Sequence, residues 1–542
     1  MRSPVLWKIL AILWWFGIFS LGAQELPFNH TAPRPSGQRS VPRAEELELL
    51  AQLPIVPQEM RGSWLVTVHN IDWPSKSGSP VAEQQAELLE LLERAKNLGL
   101  NAVLFQVRTA ADAFYPSEVE PWSAYLTGYQ GRAPQPFWDP LAFAIEEAHK
   151  RGLELHAWLN PYRVGYLKQA RFDSGHIFRQ RPDLVRLYDD SYWLDPGNPD
   201  SEAHILKVVR DIVSRYARLD GIHYDDYFYP YPKVGQNFRD NVTKKAYAEG
   251  DTLAGWRREN IDRLIWKTYR LIKEINPYLS FGVSPFGIWR NDQPHGVRGL
   301  ESYHELYADS RKWLRNGWLD YMAPQFYWSP DAPRQPYDKM LDWWLAQNTQ
   351  GKQVMAGINV ANLKEVGNVD FREVSEKVNL RREYRGDGEI YYSLGKISSS
   401  DWQENMRSLY PYEALPTLTG PDRPPLPAPP IRIALAAPTE GAKKNQERSW
   451  QLSWDLPSAK AAVSDDGTSP VKRWVLYYRK EGIWNYRIYP SWVRGIKVSF
   501  QQGLDPRYFA VAMVDRGNAV GNISWFGMIP AEDIRDEGLA SR

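Results

Sequence analysis

The sequence predicts a (β/α)8 TIM barrel followed by a small all-β sandwich, on three observations. Eight short apolar strand candidates alternate with amphipathic helical stretches between Arg61 and about Leu394. The loops that follow these strands are long and rich in Trp, Tyr, Asn and Asp, while the loops that precede them are short. A Pro-rich break near Thr417 then gives way to short alternating apolar runs. Regular β–α alternation builds a parallel sheet, and barrels of this kind carry their sites on the loops after the strands.

Taken in order, the chain opens with Arg2 and Lys8, an apolar run from Ile9 to Leu21, and small residues at Gly22-Ala23. This pattern predicts a secretory signal over residues 1–23, because the run is short for a membrane span of about 20 residues. An uncleaved anchor is the alternative. Residues 24–57 read as a flexible lead-in. The barrel is expected over residues 58–416, with strands at Gly62–Val68, Ala102–Val107, Glu154–Leu159, Gly221–Tyr224, Leu279–Val283, Tyr321–Phe326, Val354–Ile358 and Glu389–Ser393. Leu88, Leu89, Leu91, Leu92 and Ala95 give Ala82–Leu98 a helical period, and Gly99 ends it. Leu141–Lys150 and Ile205–Tyr216 follow the same logic, and Ile261–Ile275 ends at Asn276-Pro277. A doubly wound open sheet would need a glycine-rich loop after the first strand, where the chain has His69-Asn70-Ile71-Asp72-Trp73-Pro74. Residues 417–430 form a Pro-rich linker, and residues 431–530 a β-sandwich with strands near Ser449–Trp454, Arg473–Tyr478, Tyr486–Tyr489, Lys497–Phe500 and Tyr508–Val514.

Composition narrows the function. The 542 residues carry a formal net charge of +1, which gives no support for a nucleic-acid surface. The chain has no Cys, so disulfides, thiolate metal sites, Cys nucleophiles and lipid attachment at an N-terminal Cys are excluded. The 24 Trp and 30 Tyr exceed what cores alone use and suit the flat C–H faces of sugar rings. There is no Gly-x-Ser-x-Gly elbow at a strand end and no His-Glu-x-x-His pair.

Three segments concentrate chemistry. In Asp220-Gly221-Ile222-His223-Tyr224-Asp225-Asp226-Tyr227, strand alternation turns His223 and Asp225 inward and leaves Asp225 at the rim of the fourth strand. Asp225 is the leading candidate for the proton-donating acid or nucleophile of glycoside hydrolysis, with Asp226 beside it. In Gln106-Val107-Arg108, alternation faces Arg108 inward, to hold a carboxylate or grip an acidic sugar substituent, or to sit in a structural ion pair. Asp112 and Glu120 on the loop beyond are candidates for the second carboxylate. In His156-Ala157-Trp158-Leu159-Asn160-Pro161-Tyr162-Arg163, the polar residues share the inner face and suit sugar hydroxyls. Trp289, Gln325 and Tyr327 lie at later rims, and Asp72 on the first loop. The expected substrate-binding set is therefore Asp72, Arg108, His156, Asn160, Tyr162, Arg163, His223, Tyr227, Trp289, Gln325 and Tyr327. His156, His223 and Asp225 sharing a metal is a minor alternative. No cofactor is expected.

These segments together resemble the bacterial glycosyl-hydrolase-like family ten. The runs that carry the resemblance are Arg61-Gly62-Ser63-Trp64, Asn70-Ile71-Asp72-Trp73-Pro74-Ser75, Phe105-Gln106-Val107-Arg108, Asp112-Ala113-Phe114-Tyr115-Pro116-Ser117, Glu120-Pro121-Trp122-Ser123, Leu126-Thr127-Gly128, His156 to Arg163, Asp220 to Pro232 and Ser284-Pro285-Phe286-Gly287. The resemblance covers roughly Gln58 to Ser393. It implies a glycosidase barrel, a cell-envelope setting (periplasm or extracellular), peptidoglycan glycan as substrate, including strands already stripped of peptide, and Asp225 as the leading carboxylate. Many wider relatives carry a second carboxylate near the end of the sixth strand, where this chain has Gln325-Phe326-Tyr327. The tail resembles a fibronectin type III domain. Two other readings compete: a non-catalytic glycan-binding envelope protein, and a hydrolase of another exported polysaccharide.

Overall fold

A computed structural model describes residues 48–168, 171–248, 252–360, 371–397, 400–421, 424–435, 449–456, 469–499 and 504–526. The expected signal segment and most of the lead-in lie outside these residues. The eight expected strands are all present and close into one parallel barrel. They are β1 (Met60–Leu65), β2 (Ala102–Arg108), β3 (Glu154–Leu159), β4 (Gly221–Tyr224), β5 (Ser280–Val283), β6 (Tyr321–Met322), β7 (Gln353–Asn359) and β8 (Gly388–Tyr392). β6 is shorter than expected because Pro324, which has no N–H, breaks the ladder. Gln325 then bridges singly to Phe286 and Gly357.

Eight helices follow the strands: α1 (Val81–Asn97), α2 (Pro140–Lys150), α3 (Pro199–Arg215), α4 (Leu253–Ile275), α5 (Ser310–Arg315), α6 (Tyr337–Gln347), α7 (Phe371–Glu383) and α8 (Ser400–Leu409). In α1, Leu88, Leu91, Leu92 and Ala95 face the strands. α3 starts earlier than its apolar period suggests. Asn198 caps it by accepting from Asp200 N, and Pro199 opens the first turn. Likewise Thr252 caps α4, accepting from Gly255 N. Between β3 and α3 lies an antiparallel excursion that the apolar pattern does not signal, with strands at Arg163–Tyr166, Val185–Tyr188 and Ser191–Leu194.

The barrel interior is partly polar. Trp64 Nε1 donates to His223 Nε2 at 3.1 Å, His223 Nδ1 meets the Tyr321 hydroxyl at 3.0 Å, that hydroxyl meets His156 Nδ1 at 2.9 Å, and His156 Nε2 meets Glu154 Oε2 at 3.3 Å. Indole N–H can only donate, so each neutral ring takes one tautomer and every proton points toward Glu154. Gly221 and Gly282 make the space. A Cβ at Gly282 would lie 1.9 Å from the Tyr321 ring, and one at Gly221 2.5 Å from His156.

The tail forms two sheets, one of Ile431–Leu435, Ser449–Trp454 and Gly495–Ser499, the other of Ile483–Pro490, Val471–Lys480, Leu504–Asp515 and Val520–Phe526. Leu452, Trp454, Trp474, Leu476, Phe509 and Val511 share the core between them. The other face of the larger sheet packs Val475, Tyr477, Ala510, Ala512 and Val514 against Val56 and Leu415 of the barrel. The Pro-rich segment is tied to both sides: Thr417 Oγ1 donates to Gln353 Oε1 at 2.6 Å, Thr419 N to Gly517 O at 2.9 Å and Asn522 N to Leu426 O at 2.8 Å. At the barrel floor Lys472 pairs with Glu154 and, at 2.8 Å, with Asp220. Burial pushes both carboxyls up, but Lys472 outweighs it, together with His156 at Glu154 and His149 at Asp220. Glu154 is held at about 2 and Asp220 well below the usual range.

Candidate active site

Asp225 follows the last residue of β4, at the C-terminal mouth of the barrel, and is 4% exposed; Asp226, beside it, is 3% exposed. Both line a cleft of about 320 Å³ walled by Trp64, Val68, His69, Trp158, Tyr166, Tyr227, Tyr231, Tyr327 and Tyr392, with Gln106, Asn160, Arg163 and Gln325 among its polar groups. Apolar and aromatic walls with a few converging polar groups are the usual form of a small-ligand site.

The position of Asp225 is set by β2 and β3. Backbone N–H groups of Thr67 and Val68 both donate to Gln106 Oε1 at 2.9 Å. The amide N of Gln106 must therefore face Asn160, and it donates to Asn160 Oδ1 at 2.6 Å. That leaves Asn160 Nδ2 to donate to Asp225 Oδ2, which also accepts from Trp158 Nε1 at 3.2 Å. Oδ2 takes two donors and Oδ1 one, from Tyr227 N at 3.3 Å, so a proton on Asp225 is better placed on Oδ1. Burial pushes the Asp225 carboxyl up, the Asp226 charge adds to this, and the result is about 7 despite the opposing Arg163 cation. Asp226 is also raised by burial, against hydrogen bonds from the Tyr231 hydroxyl and from Gln325 Nε2, the latter at 3.0 Å. The two neighbours titrate as a pair, and with Asp225 pushed up to about 7 the pair exchanges a proton near neutral pH. Such a pair can donate a proton to a leaving oxygen while keeping negative charge at the same rim.

The structure sorts the other expected residues. Asn160, Arg163, Tyr227, Gln325 and Tyr327 line the cleft with the two aspartates. Arg108 does not. The β2–β3 register shifts between Gln106 and Arg108, and a bulge of this kind re-aims the side chains beyond it. Arg108 Nη2 pairs with Glu120 Oε1 at 2.6 Å, Nε donates to Glu120 Oε2 at 2.7 Å and Nη1 holds Pro161 O at 3.1 Å, so the arginine supports the Asn160–Pro161 backbone from below. Glu120, expected as a partner acid, is locked in that pair. Burial raises it, but Arg108 and His204 bring it down to about 2, far from a proton donor. Asp112 is turned back on its own loop, accepting from Thr109 Oγ1 at 2.7 Å and Ala110 N at 3.0 Å.

Asp72 is a staple, accepting from Val66 N and from Ser393 Oγ at 2.9 Å each. His156 and His223 are interior relay residues, with both ring nitrogens of each engaged. Tyr162 is fully buried, and Trp289 donates to Asp309 Oδ1 at 2.9 Å away from the cleft. Among the described residues no group of three His, Asp or Glu is arranged to hold a metal. Beyond the expected substrate-binding set, the cleft is also lined by Trp64, Gln106, Trp158, His69, Tyr166, Tyr231 and Tyr392. Alternation does place Gln106 and Trp158 on the inner face, whereas His69 and Tyr166 reach the cleft through loop and excursion geometry that no period reveals.

The model of the Glycosyl hydrolase-like 10 family matches residues 59–372. The chain is 40% identical over 358 residues to Glycosyl hydrolase YngK of Bacillus subtilis, covering 63% of this chain and 69% of that protein. It is also 40% identical over 309 residues to Glycosyl hydrolase DigH of Escherichia coli K12, covering 53% and 70%. Among solved structures, the PgaB (BpsB) glycoside hydrolase domain from Bordetella bronchiseptica aligns with a TM-score of 0.46 at 15% identity, over 67% of this chain and 100% of that one. The protein is a glycoside hydrolase. It belongs to the glycosyl hydrolase-like 10 family.

Proposed function

We propose that this protein is an exported glycosidase that cleaves cell-envelope glycan, with peptidoglycan strands as its substrate. The observation that carries the chemistry is the Asp225–Asp226 pair, two adjacent buried carboxyls inside an aromatic cleft at the barrel mouth, where burial and the Asp226 charge push Asp225 up to about 7. In this reading Asp225 Oδ1 gives its proton to the glycosidic oxygen as the bond breaks. Asp226 keeps the negative charge that faces the oxocarbenium-like transition state, and water then adds to the anomeric carbon and returns a proton to Asp225, restoring the acid. Tyr327 and Tyr392, on the opposite wall, pack on sugar faces, and Asn160 and Gln325 hold the carboxyls in place.

The charged start and short apolar run at residues 1–23 support export. The family resemblance supports an envelope substrate. The tail, with three strands against four, supports the fibronectin type III-like reading. Mass spectrometry of products from purified glycan strands tests the reaction. New reducing ends from wild-type protein and none from Asp225→Asn are expected, and equal turnover by the two would overturn the assignment. N-terminal sequencing of the mature protein tests export, with a start near Gln24 expected.

A further inference from the structure

One run of hydrogen bonds joins the floor of the barrel to its mouth. Glu154 ends it below, and Trp64, which lines the cleft, ends it above. Between them His223, Tyr321 and His156 each donate on one side and accept on the other, so the two ends set the direction of the whole run. The tail acts on the lower end. Lys472 Nζ and Asn518 Nδ2, the latter at 3.0 Å, both donate to Glu154 Oε1. Oε2 is left to accept from His156 Nε2. Burial and then His156 push the His223 imidazole well down, so this ring is neutral and has one N–H to give. It gives that proton from Nδ1 to Tyr321, and its Nε2 is the acceptor that the buried Trp64 indole needs. A buried N–H that loses its acceptor is costly.

We propose that Glu154 is a positioning residue for the cleft: held by Lys472 and Asn518 of the tail as a pure acceptor, it fixes the direction of the interior run and thereby the seat of Trp64. Trp64 packs in one buried cluster with Trp158, whose indole donates to Asp225 Oδ2 at 3.2 Å. Its ring centroid lies 6.3 Å from that of Tyr392, also in the cleft wall. The effect on turnover rests on Asp225 being the acid, as proposed above; the direction of the run does not. Glu154→Gln separates direction from shape. The two side chains are isosteric, and Lys472 keeps Asp220 as an ion-pair partner at 2.8 Å. The two tail donors claim the amide oxygen, so the amide nitrogen faces His156 Nε2 and donates to it. His156 must then donate from Nδ1 to Tyr321, and Tyr321 to His223 Nδ1. The His223 proton moves to Nε2, where it meets the Trp64 indole donor to donor.

The test is heteronuclear NMR of the full chain labelled at histidine and tryptophan nitrogens, with signals assigned by His156→Gln, His223→Gln and Trp64→Phe. Wild type is expected to carry its proton on Nδ1 of His223 and on Nε2 of His156. Glu154→Gln should swap both tautomers and shift the Trp64 indole signal. A wild-type proton on Nε2 of His223, unchanged tautomers in Glu154→Gln, or an unmoved indole signal would overturn the inference. Should Glu154→Gln fail to fold on a melting curve, the wild-type tautomers decide. The second arm is kinetic, on purified glycan strands. Glu154→Gln should lower kcat/KM about ten- to a hundred-fold. Added to Trp64→Phe, which has no indole N–H to strand, it should cost nothing further. A role in folding alone would cost the same in both backgrounds, and that result would overturn the positioning. If no glycan strand is cleaved, the NMR arm still decides the positioning, and the substrate proposed above is what falls.

Discussion

Asp225 is held for chemistry at a cost to stability. Its carboxyl is raised by burial and by Asp226, so the folded protein binds a proton there that the unfolded chain releases near pH 4. Stability contributed at this position therefore falls as pH rises from about 4 to about 7. Asp225→Asn has no such dependence. It should melt at the same temperature as wild type below about pH 4 and at a higher one above about pH 7, while glycan cleavage drops by at least about 10²–10⁴-fold. Scanning calorimetry and product assays across pH check both halves. The same sign predicts the rate profile: kcat/KM falls as pH rises above about 7, because the pair loses its proton. Asn160→Ala removes one of the two donors on Asp225 Oδ2 and should lower kcat by about ten- to a hundred-fold with KM little changed. A change confined to KM would place Asn160 on the substrate rather than on the acid.

At the scale of elements, β2 shows what alternation can and cannot read. Period-two reasoning finds all eight strands and puts Gln106, Trp158 and Asp225 on the inner face, and that much of the site was legible. The bulge beyond Gln106 was not, because one extra residue leaves the apolar count unchanged while turning Arg108 away from the cleft. The same limit hides the excursion at Arg163–Leu194, whose strands are four residues each, too short to show a period. Arg108→Met leaves Glu120 buried with His204 as its remaining partner among the described residues, and should destabilise the protein by about 3–5 kcal/mol. Melting temperature and activity should fall together, since Arg108 also supports the Asn160–Pro161 backbone. A drop in activity at unchanged melting temperature would return Arg108 to the substrate.

At the scale of the whole molecule, the tail closes the barrel floor. Two separate domains were the simplest reading of a Pro-rich segment, because composition says nothing about what its flanks touch. Here hydrogen bonds tie that segment to both sides, and the larger sheet covers Val56 and Leu415. Proteolysis between Leu418 and Ile431 should therefore give two pieces that stay together on gel filtration. Lys472→Met strips Glu154 and Asp220 of a shared cation and should lower the melting temperature at pH 7. The loss should hold down to about pH 4 and shrink only below it, as Glu154 takes up a proton on the way to about 2. A pH-independent loss would mean that packing, not charge, joins the two parts.

The ion pairs at the barrel floor also bear on how such chains can exchange modules. Glu154 is both the last acceptor of the interior chain from Trp64 and a partner of Lys472. A gene that sheds the tail, or swaps it for another, inherits a barrel with two carboxylates and no cation beneath them. Lineages that recombine here should carry a matching change at positions 154 and 220, so those two sites record which tail the barrel grew up with.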